Sequence, residues 1–367
     1  MNVCFLVSTL SSVGGTGRVT ANIANRMCAD HQVHVVGIYG GPDALPAFDL
    51  DDRVIRLNVL EKEDRIRKLA SDFYRPFKRY LKDNEIDVVF LVGNYQGIIA
   101  LPVAFTCSTK FVFCDHGALM NQWERKDVRF MRWVCSSLCD ATVTLTEQIR
   151  NDYMEKFKIP SSKVFAIPNW IPNSQIREQS LYSPEIKKMI WAGRLDPEKG
   201  VNFLVKIAST VLKDRPDWSW DAYGQNVVTE GGIDWQRAID EEGLTGKLNL
   251  MGSVSNLTDR YGDYSICTLT SYREGLPMSL LEAKAKALPL ISFDVQTGPN
   301  EIIDDSKDGF LIACYDCEEY ANKLGQLMDN EQMRQSFSER STKKLEDFSE
   351  DKIYEKWLNL ICSLCEK

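Results

Sequence analysis

The sequence predicts an α/β protein made of two doubly wound parallel-sheet domains. Three observations predict it. The chain has 367 residues, too many for one domain at roughly 100–200 residues each. Short β-branched apolar runs alternate with helical patterns, and that rhythm restarts midway after a proline-broken stretch.

In the first half Val3–Val7, Val33–Ile38, Val88–Val92, Lys110–Cys114 and Ala141–Leu145 read as strands, with a helix over Gly17–Cys28. Such continuous apolar runs suit strands covered on both faces. In the second half Lys188–Ala192, Ser219–Tyr223, Leu248–Met251, Ile266–Leu269 and Leu290–Phe293 read as strands, with helices over Val201–Leu212 and from about Leu276 to Ala287. Prolines within Ile167-Pro168-Asn169-Trp170-Ile171-Pro172-Asn173 interrupt both periodicities and place the boundary near Asn173. The domains are then 1–173 and 174–348, followed by 349–367. That last segment is an amphipathic helix whose Ile353, Trp357, Leu360, Ile361 and Leu364 need an apolar partner surface.

Composition narrows the function. Hydrophobic residues at 44% and charged residues at 26% are those of a globular chain. The apolar start lacks a basic segment ahead of it, so it reads as a strand and not a signal peptide. No run reaches the ~18–20 apolar residues that cross a bilayer. Eleven cysteines, an odd number, point to reduced thiols and a cytoplasmic setting. Cys314–Cys317 and Cys362–Cys365 offer four zinc ligands in principle, but the second pair lies on the amphipathic helix, where small apolar residues are expected. Up to Ser180 there are 22 basic and 20 acidic residues, and beyond it 22 and 32. A net charge of −8 argues against general nucleic-acid binding, which needs a dominant basic surface.

Four segments carry chemistry. The turn Ser11-Ser12-Val13-Gly14-Gly15-Thr16-Gly17-Arg18-Val19-Thr20 joins a strand to a helix, so its glycines allow close backbone approach and its amides face the helix opening. It is not a dinucleotide fingerprint: Thr20 replaces the third glycine and no ribose-binding acid follows the second strand. A ligand-free tight turn is the less favoured alternative. Asp115-His116-Gly117 closes a strand at the sheet edge where ligands bind, which favours a functional His116. Gly193-Arg194-Leu195-Asp196-Pro197-Glu198-Lys199-Gly200 sets two cations five residues apart in a strand-to-helix loop. Arg194 and Lys199 suit a diphosphate without a metal, although spacing alone also fits two solvated charges. In Ser271-Tyr272-Arg273-Glu274-Gly275-Leu276-Pro277-Met278-Ser279-Leu280-Leu281-Glu282-Ala283 the proline marks a helix N-terminus whose free amides face an anion. Glu274 precedes that helix and Glu282 lies two turns inside it, an unexplained carboxylate among apolar neighbours.

Gly14-Gly15-Thr16-Gly17-Arg18, Gly193-Arg194 with Lys199, and Glu274 followed by Glu282 together resemble glycosyltransferase family 4, whose members have the GT-B fold. The resemblance continues through Thr297-Gly298-Pro299-Asn300-Glu301 and Asp308-Gly309, and covers nearly the whole chain. It implies two Rossmann-like domains facing a central cleft, with the C-terminal helix crossing back to the first. It implies an acceptor-binding first domain and a donor-binding second domain. Arg194 and Lys199 would hold the diphosphate, Glu282 the ribose, and Glu274 the transferred hexose. Gly275, Leu276, Pro277 and Met278 would frame sugar and phosphate, and Gly252 and Val254 the base. In the first domain Gly15 and Gly17 would face the donor, and Thr16, Arg18, Asp115 and His116 the acceptor. The catalytic set implied is Glu274, His116, Arg194 and Lys199.

The resemblance further implies a retaining, metal-independent hexosyltransferase of bacterial polysaccharide or lipopolysaccharide synthesis. Its donor would be a UDP-sugar carrying galactose, glucose or an N-acetylhexosamine, and it would need no cofactor. Two departures stand out: Tyr223-Gly224-Gln225-Asn226 replaces a richer glycine turn, and Ala287-Leu288-Pro289 replaces Ala-x-Gly-x-Pro. The rival readings are a nucleotide-sugar epimerase of the same form and a non-catalytic nucleotide-sugar-binding subunit. Residues 61–82 carry eight basic and four acidic residues interleaved with Ile66, Leu69, Phe73, Tyr74, Phe77, Tyr80 and Leu81. A helix packed on its own domain with a basic outer face is favoured over one lying on anionic lipid. A lipid-linked glycan acceptor would suit peripheral attachment at the inner face of the membrane.

Overall fold

The computed structural model describes residues 1–12, 14–41, 44–176, 182–225, 233–254 and 256–365. Val13 of the first turn and Asn226 lie outside the described residues. The chain divides into two compact units, Met1–Asn169 with Ile353–Lys367, and Trp170–Lys352.

The first unit runs β1 (Asn2–Val7), α1 (Gly15–Met27), β2 (Gln32–Tyr39), β3 (Ile55–Leu60), α2 (Ile66–Asp83), β4 (Val88–Val92), α3 (Asn94–Ala104), β5 (Lys110–Asp115), α4 (Lys126–Leu138), β6 (Ala141–Thr144), α5 (Glu147–Phe157) and β7 (Val164–Ala166). Its seven strands lie in the order β3-β2-β1-β4-β5-β6-β7, and all pairings are parallel. The five residues of β4 are all buried, as a central strand with helices on both faces requires. The edge strands β3 and β7 have no counterpart among the runs read from the sequence. An edge strand has one neighbour and tolerates polar side chains, and β3 alternates Ile55, Leu57 and Val59 with Arg56 and Asn58 in a largely accessible pattern.

In the second unit the elements are α6 (Asn173–Ile176), β8 (Lys188–Ala192), α7 (Val201–Val211), β9 (Ser219–Tyr223), α8 (Trp235–Glu241), β10 (Leu248–Gly252), β11 (Ile266–Leu269), α9 (Met278–Ala285), β12 (Leu290–Phe293), α10 (Pro299–Ile302), β13 (Gly309–Ile312), α11 (Cys317–Asp329) and α12 (Glu331–Ser341). Six parallel strands lie in the order β10-β9-β8-β11-β12-β13. The core under α7 and α11 is built on Trp191, Trp220, Leu204, Ile207, Tyr320 and Leu324. Ala287 takes φ 60°, the left-handed conformation in which a glycine would be unstrained. This is the position at which the pattern Ala-x-Gly-x-Pro has its glycine.

α13 (Glu350–Cys365) starts in the second unit and belongs to the first from Ile353 onward. The Trp357 ring meets Phe90 edge-on at 5.2 Å. The Tyr354 hydroxyl donates to Asp30 at 2.7 Å beneath the Arg26 guanidinium, 4.0 Å from the ring centre. Ile353, Leu360 and Ile361 are buried with them, which supplies the partner surface the apolar stripe needs.

α2 buries Leu69, Phe73, Phe77 and Leu81 and leaves Arg67, Arg75, Arg79 and Lys82 exposed. Its apolar stripe is therefore core, and its basic stripe is surface. Among the described residues no helix is long and apolar enough to cross a membrane. None of the described His, Cys, Asp and Glu side chains form a group of three or more suited to a metal ion.

Candidate functional site

The strand order of the second unit reverses direction between β8 and β11. In an open parallel sheet the loops leaving such a pair diverge to opposite faces and open a crevice at the carboxyl edge. The two loops there are Gly193–Gly200, after β8, and Thr270–Pro277, after β11. They hold the two most informative motifs.

Local geometry locks these loops together. The Trp191 indole donates to Thr270 Oγ1 at 3.0 Å, and that hydroxyl donates to the Gly200 carbonyl at 3.1 Å. Gly200 sits at φ 69°, and a Cβ there would stand 1.9 Å from the Thr270 oxygen, so this approach excludes any side chain. The Tyr272 amide donates to the Glu198 carbonyl at 2.9 Å. Asp196 caps the intervening turn by accepting from the Lys199 amide at 3.0 Å.

Lys199 and Glu274, distant in sequence, consequently form an ion pair of 2.7 Å, with side chains 23% and 7% exposed. Arg194 is 59% exposed and leans on Asp196 at 3.1 Å, so its guanidinium is accessible. Thr297 Oγ1 donates to the Glu274 carbonyl at 2.8 Å. Gly298 (φ 98°) lets its loop close on Gly275 and Pro277, where a Cβ would stand 2.7 Å from Pro277 Cδ. In α9 the first intrahelical bond runs from the Leu280 amide to the Pro277 carbonyl. The amides of Met278 and Ser279 precede it, at residues that are partly exposed, and so present an anion-attracting helix end. Glu282 is 5% exposed and accepts from the buried Tyr261 hydroxyl at 3.4 Å.

The loops after β9 and β10 extend this edge. The Gly193 amide donates to Tyr223 at 3.0 Å, Leu195 to Gln225 at 2.9 Å, and Gly224 to Gly252 at 2.9 Å. A Cβ on Gly224 would stand 1.7 Å from the Gly193 oxygen, so this turn, poorer in glycine, still packs directly on the Arg194 loop. Gly252 and Val254 are exposed at the rim. A groove of 970 Å³ lined by Lys206, Arg215, Ala321 and Gly325 runs between α7 and α11 and contains none of these motif residues.

The first unit has its own reversal between β1 and β4, bridged where Gln96 Nε2 donates to Ser8 Oγ at 2.6 Å. α1 opens there: its first helical bond runs from the Arg18 amide to Gly14, leaving the amides of Gly15, Thr16 and Gly17 ahead of it. Gly15 and Thr16 are exposed, while a Cβ on Gly17 would meet the Ser12 oxygen at 2.9 Å. Asp115 is 4% exposed. It pairs with Arg132 at 3.0 Å and accepts from the Tyr153 hydroxyl at 2.6 Å and the Gly117 amide at 3.1 Å. Any acceptor contact by this carboxylate would compete with all three. Its position fixes the loop that carries His116. Burial lowers the His116 pKa to about 4 against the opposing pull of Asp115, so the imidazole is neutral at physiological pH and offers one donor and one acceptor.

The structure thus brings Arg194, Lys199, Glu274, Gly275–Met278 and Glu282 to one sheet edge of the second unit. It sets Gly15–Arg18, Asp115 and His116 at the carboxyl edge of the first. Sequence reasoning missed Tyr261, Arg132 and Tyr153, which hold these residues. As aromatic and charged side chains outside any motif, they leave no signal in the sequence.

Two family models match the two halves of the chain. Residues 13–175 match the family described as Glycosyltransferase Family 4, and residues 173–344 match Glycosyl transferases group 1. An uncharacterised glycosyltransferase of Haemophilus influenzae is 25% identical over 97% of this chain and 99% of its own. The GalNAc-alpha-(1->4)-GalNAc-alpha-(1->3)-diNAcBac-PP-undecaprenol alpha-1,4-N-acetyl-D-galactosaminyltransferase of Campylobacter jejuni is 25% identical over 99% of each chain. Among solved structures, an S. aureus TarM variant in complex with fondaparinux, alpha-GlcNAc-glycerol and UDP superposes with a TM-score of 0.81 at 16% identity, covering 98% of this chain and 99% of that one. At that identity the likeness shows the GT-B fold.

Proposed function

The chain belongs to glycosyltransferase family 4, and from that premise we propose that it is a retaining, metal-independent hexosyltransferase using a UDP-sugar. The observation that carries the reading is the Lys199–Glu274 pair of 2.7 Å, set at the strand-order reversal beside the open first turn of α9. A lysine and a carboxylate held in contact there match the two ends of one ligand. The diphosphate takes the cation and the α9 amides, and the hexose hydroxyls take Glu274. The accessible Arg194 adds a bidentate phosphate donor, and buried Glu282 suits a ribose diol.

The chemistry in this reading is the one the family resemblance implies. The bond from the sugar's anomeric carbon to the diphosphate breaks through an oxocarbenium-like state, and negative charge accumulates on the departing phosphate. A phosphate oxygen takes the proton of the incoming hydroxyl on the same face, so configuration is retained. Stabilising the leaving group is the main task, which this reading gives to Arg194, Lys199 and the α9 amides and not to a metal. Removing one such donor costs on the order of 10²–10³ in rate, by analogy with an oxyanion-hole donor. Neutral His116 serves as a polar contact for the acceptor side.

A lipid-linked glycan is the acceptor this reading favours, since the C. jejuni relative carries an undecaprenol-linked glycan in its name. Peripheral membrane contact through residues 61–82 is supported by the basic outer face of α2. Exposed Phe130 and Trp133 on α4, their rings 6.0 Å apart, supply the apolar component in the same helical layer, α2 against α3 against α4.

The test is a panel of UDP-, GDP- and ADP-sugars with EDTA present, applied to wild type, Arg194→Ala and Glu282→Ala. We expect a UDP-sugar to raise the melting temperature of wild type and to release UDP, with release reduced about 10²-fold or more in Arg194→Ala. If no nucleotide sugar shifts or is consumed by wild type, the donor-domain reading is wrong.

A further inference from the structure

Tyr315 lies in the loop between β13 and α11 with φ 68°, a conformation that disfavours any side chain. Backbone strain of this kind persists where surrounding contacts over-determine it, and they do so here. Phe203 stacks on the ring at 5.5 Å with planes 12° apart. Tyr272 lies at 5.0 Å and Phe293 edge-on at 5.9 Å. The Tyr315 hydroxyl donates to the Tyr272 carbonyl at 3.1 Å.

Those neighbours are the two flanks of the candidate donor site. Tyr272 is two residues before Glu274, and its amide is already bonded to Glu198, the residue before Lys199. Its hydroxyl accepts from Asn202 at 3.0 Å. Asn202 and Phe203 form the first turn of α7, directly after the Lys199-Gly200 turn. Tyr315 therefore bridges, from a third strand end, the two loops whose separation decides how Lys199 and Glu274 meet.

We propose that Tyr315 is a positioning residue for glycosyl transfer: its ring and hydroxyl hold the Tyr272-Arg273-Glu274 segment against the Lys199 turn. This sets the spacing of carboxylate and ammonium across the sugar and diphosphate of the donor. The inference rests on the donor-site reading above. Displacement of a positioned group by about 1 Å can cost roughly 10² in rate, whereas binding of the nucleotide, which draws on many contacts, changes little. Tyr315→Phe loses only the bond to the Tyr272 carbonyl. Tyr315→Gly loses ring and bond but relieves the backbone.

The experiment uses the full chain as wild type, Tyr315→Phe, Tyr315→Gly and Asn202→Ala. UDP affinity is measured by titration. UDP release is measured with UDP-glucose, UDP-galactose, UDP-GlcNAc and UDP-GalNAc, and hydrogen exchange is followed over residues 270–277. We expect kcat on the best donor to fall about 3–10-fold in Tyr315→Phe and at least 10-fold in Tyr315→Gly. UDP affinity should stay within twofold, and exchange over 270–277 should rise in both. Asn202→Ala should shift kcat and exchange in the same direction, and it keeps the test alive should the glycine variant not fold.

A purely structural role predicts lost folded protein with unchanged kcat per folded molecule, and that result overturns the proposal. So do variants that match wild type in both exchange and kcat. A wild type that neither binds UDP nor consumes any of the four sugars overturns instead the donor-site reading on which the proposal stands.

Discussion

Lys284 and Asp308 allow a sharp test of how the donor-facing helix is held. Lys284 follows Glu282 by two positions in α9, and its Nζ lies 2.5 Å from Asp308 Oδ2 with side chains 0% and 2% exposed. Burial lowers the Lys284 pKa despite the attraction of Asp308, and burial raises that of Asp308 despite Lys284. Desolvation thus outweighs attraction at both partners, as expected for a pair wholly removed from water. Lys284→Met leaves a buried carboxylate without this cation and should cost about 3–5 kcal/mol. Asp308→Asn should cost a similar amount, because it strands the ammonium while its amide oxygen can still accept from the Asp304 amide, now 2.9 Å from Asp308.

The double variant removes both charges, leaving roughly the 1–2 kcal/mol of imperfect polar pairing. The coupling energy should therefore exceed about 2 kcal/mol. Urea unfolding followed by tryptophan fluorescence reads it, since Trp191, Trp218, Trp220 and Trp235 lie in the core of this domain. The pH dependence has a defined sign. With the folded-state pKa of Lys284 below its unfolded value, the unfolded chain holds the extra proton in the window between the two. Wild-type stability should rise with pH there, and that slope should vanish in Lys284→Met. A double variant that loses as much as the two single variants summed would refute the reasoning.

Two further predictions follow from the first domain. Because the folded-state pKa of His116 lies near 4, below the unfolded value of about 6.5, the unfolded chain binds the extra proton between those values. Stability should fall by on the order of 1–3 kcal/mol as pH drops through that window. His116→Gln should lack this slope in acid unfolding curves, and equal slopes would show that the ring is protonated in the folded state. On the surface, Phe130→Ser with Trp133→Ser should reduce co-sedimentation with vesicles containing phosphatidylglycerol several-fold, and high salt should do the same through the basic face of α2. Sedimentation that is indifferent to anionic lipid would remove the membrane reading while leaving donor chemistry untouched.

Much of the fold is legible in the sequence because buried parallel strands advertise themselves as continuous apolar runs. Val88–Val92 and Leu290–Phe293 are strands in the structure at those bounds. The edge strand β3 is not legible, because Ile55–Leu60 pairs on one side only and keeps arginine and asparagine in its pattern. The C-terminal stripe is legible as apolar, but only the structure identifies Phe90 and Asp30 among its partners. Periodicity separates apolar from polar faces but does not say which apolar side chains reach the surface. The sequence draws attention to α2, whose phenylalanines are core, and passes over Phe130 and Trp133, which are exposed on α4.

The candidate site divides the same way. Glycines, the α9 proline and the spacing of Glu274 and Glu282 lie within contiguous stretches, and their backbone demands are local, so residue order alone specifies them. The 2.7 Å contact of Lys199 with Glu274, the commitment of Asp115 to Arg132 and Tyr153, and the bridge from Tyr315 to Tyr272 join residues far apart in the chain. Only the tertiary structure decides those, because a side chain's partner and its exposure to water depend on which strands become neighbours. Periodicity and turn chemistry are properties of a segment, whereas charge pairing and desolvation are properties of the packed sheet edge.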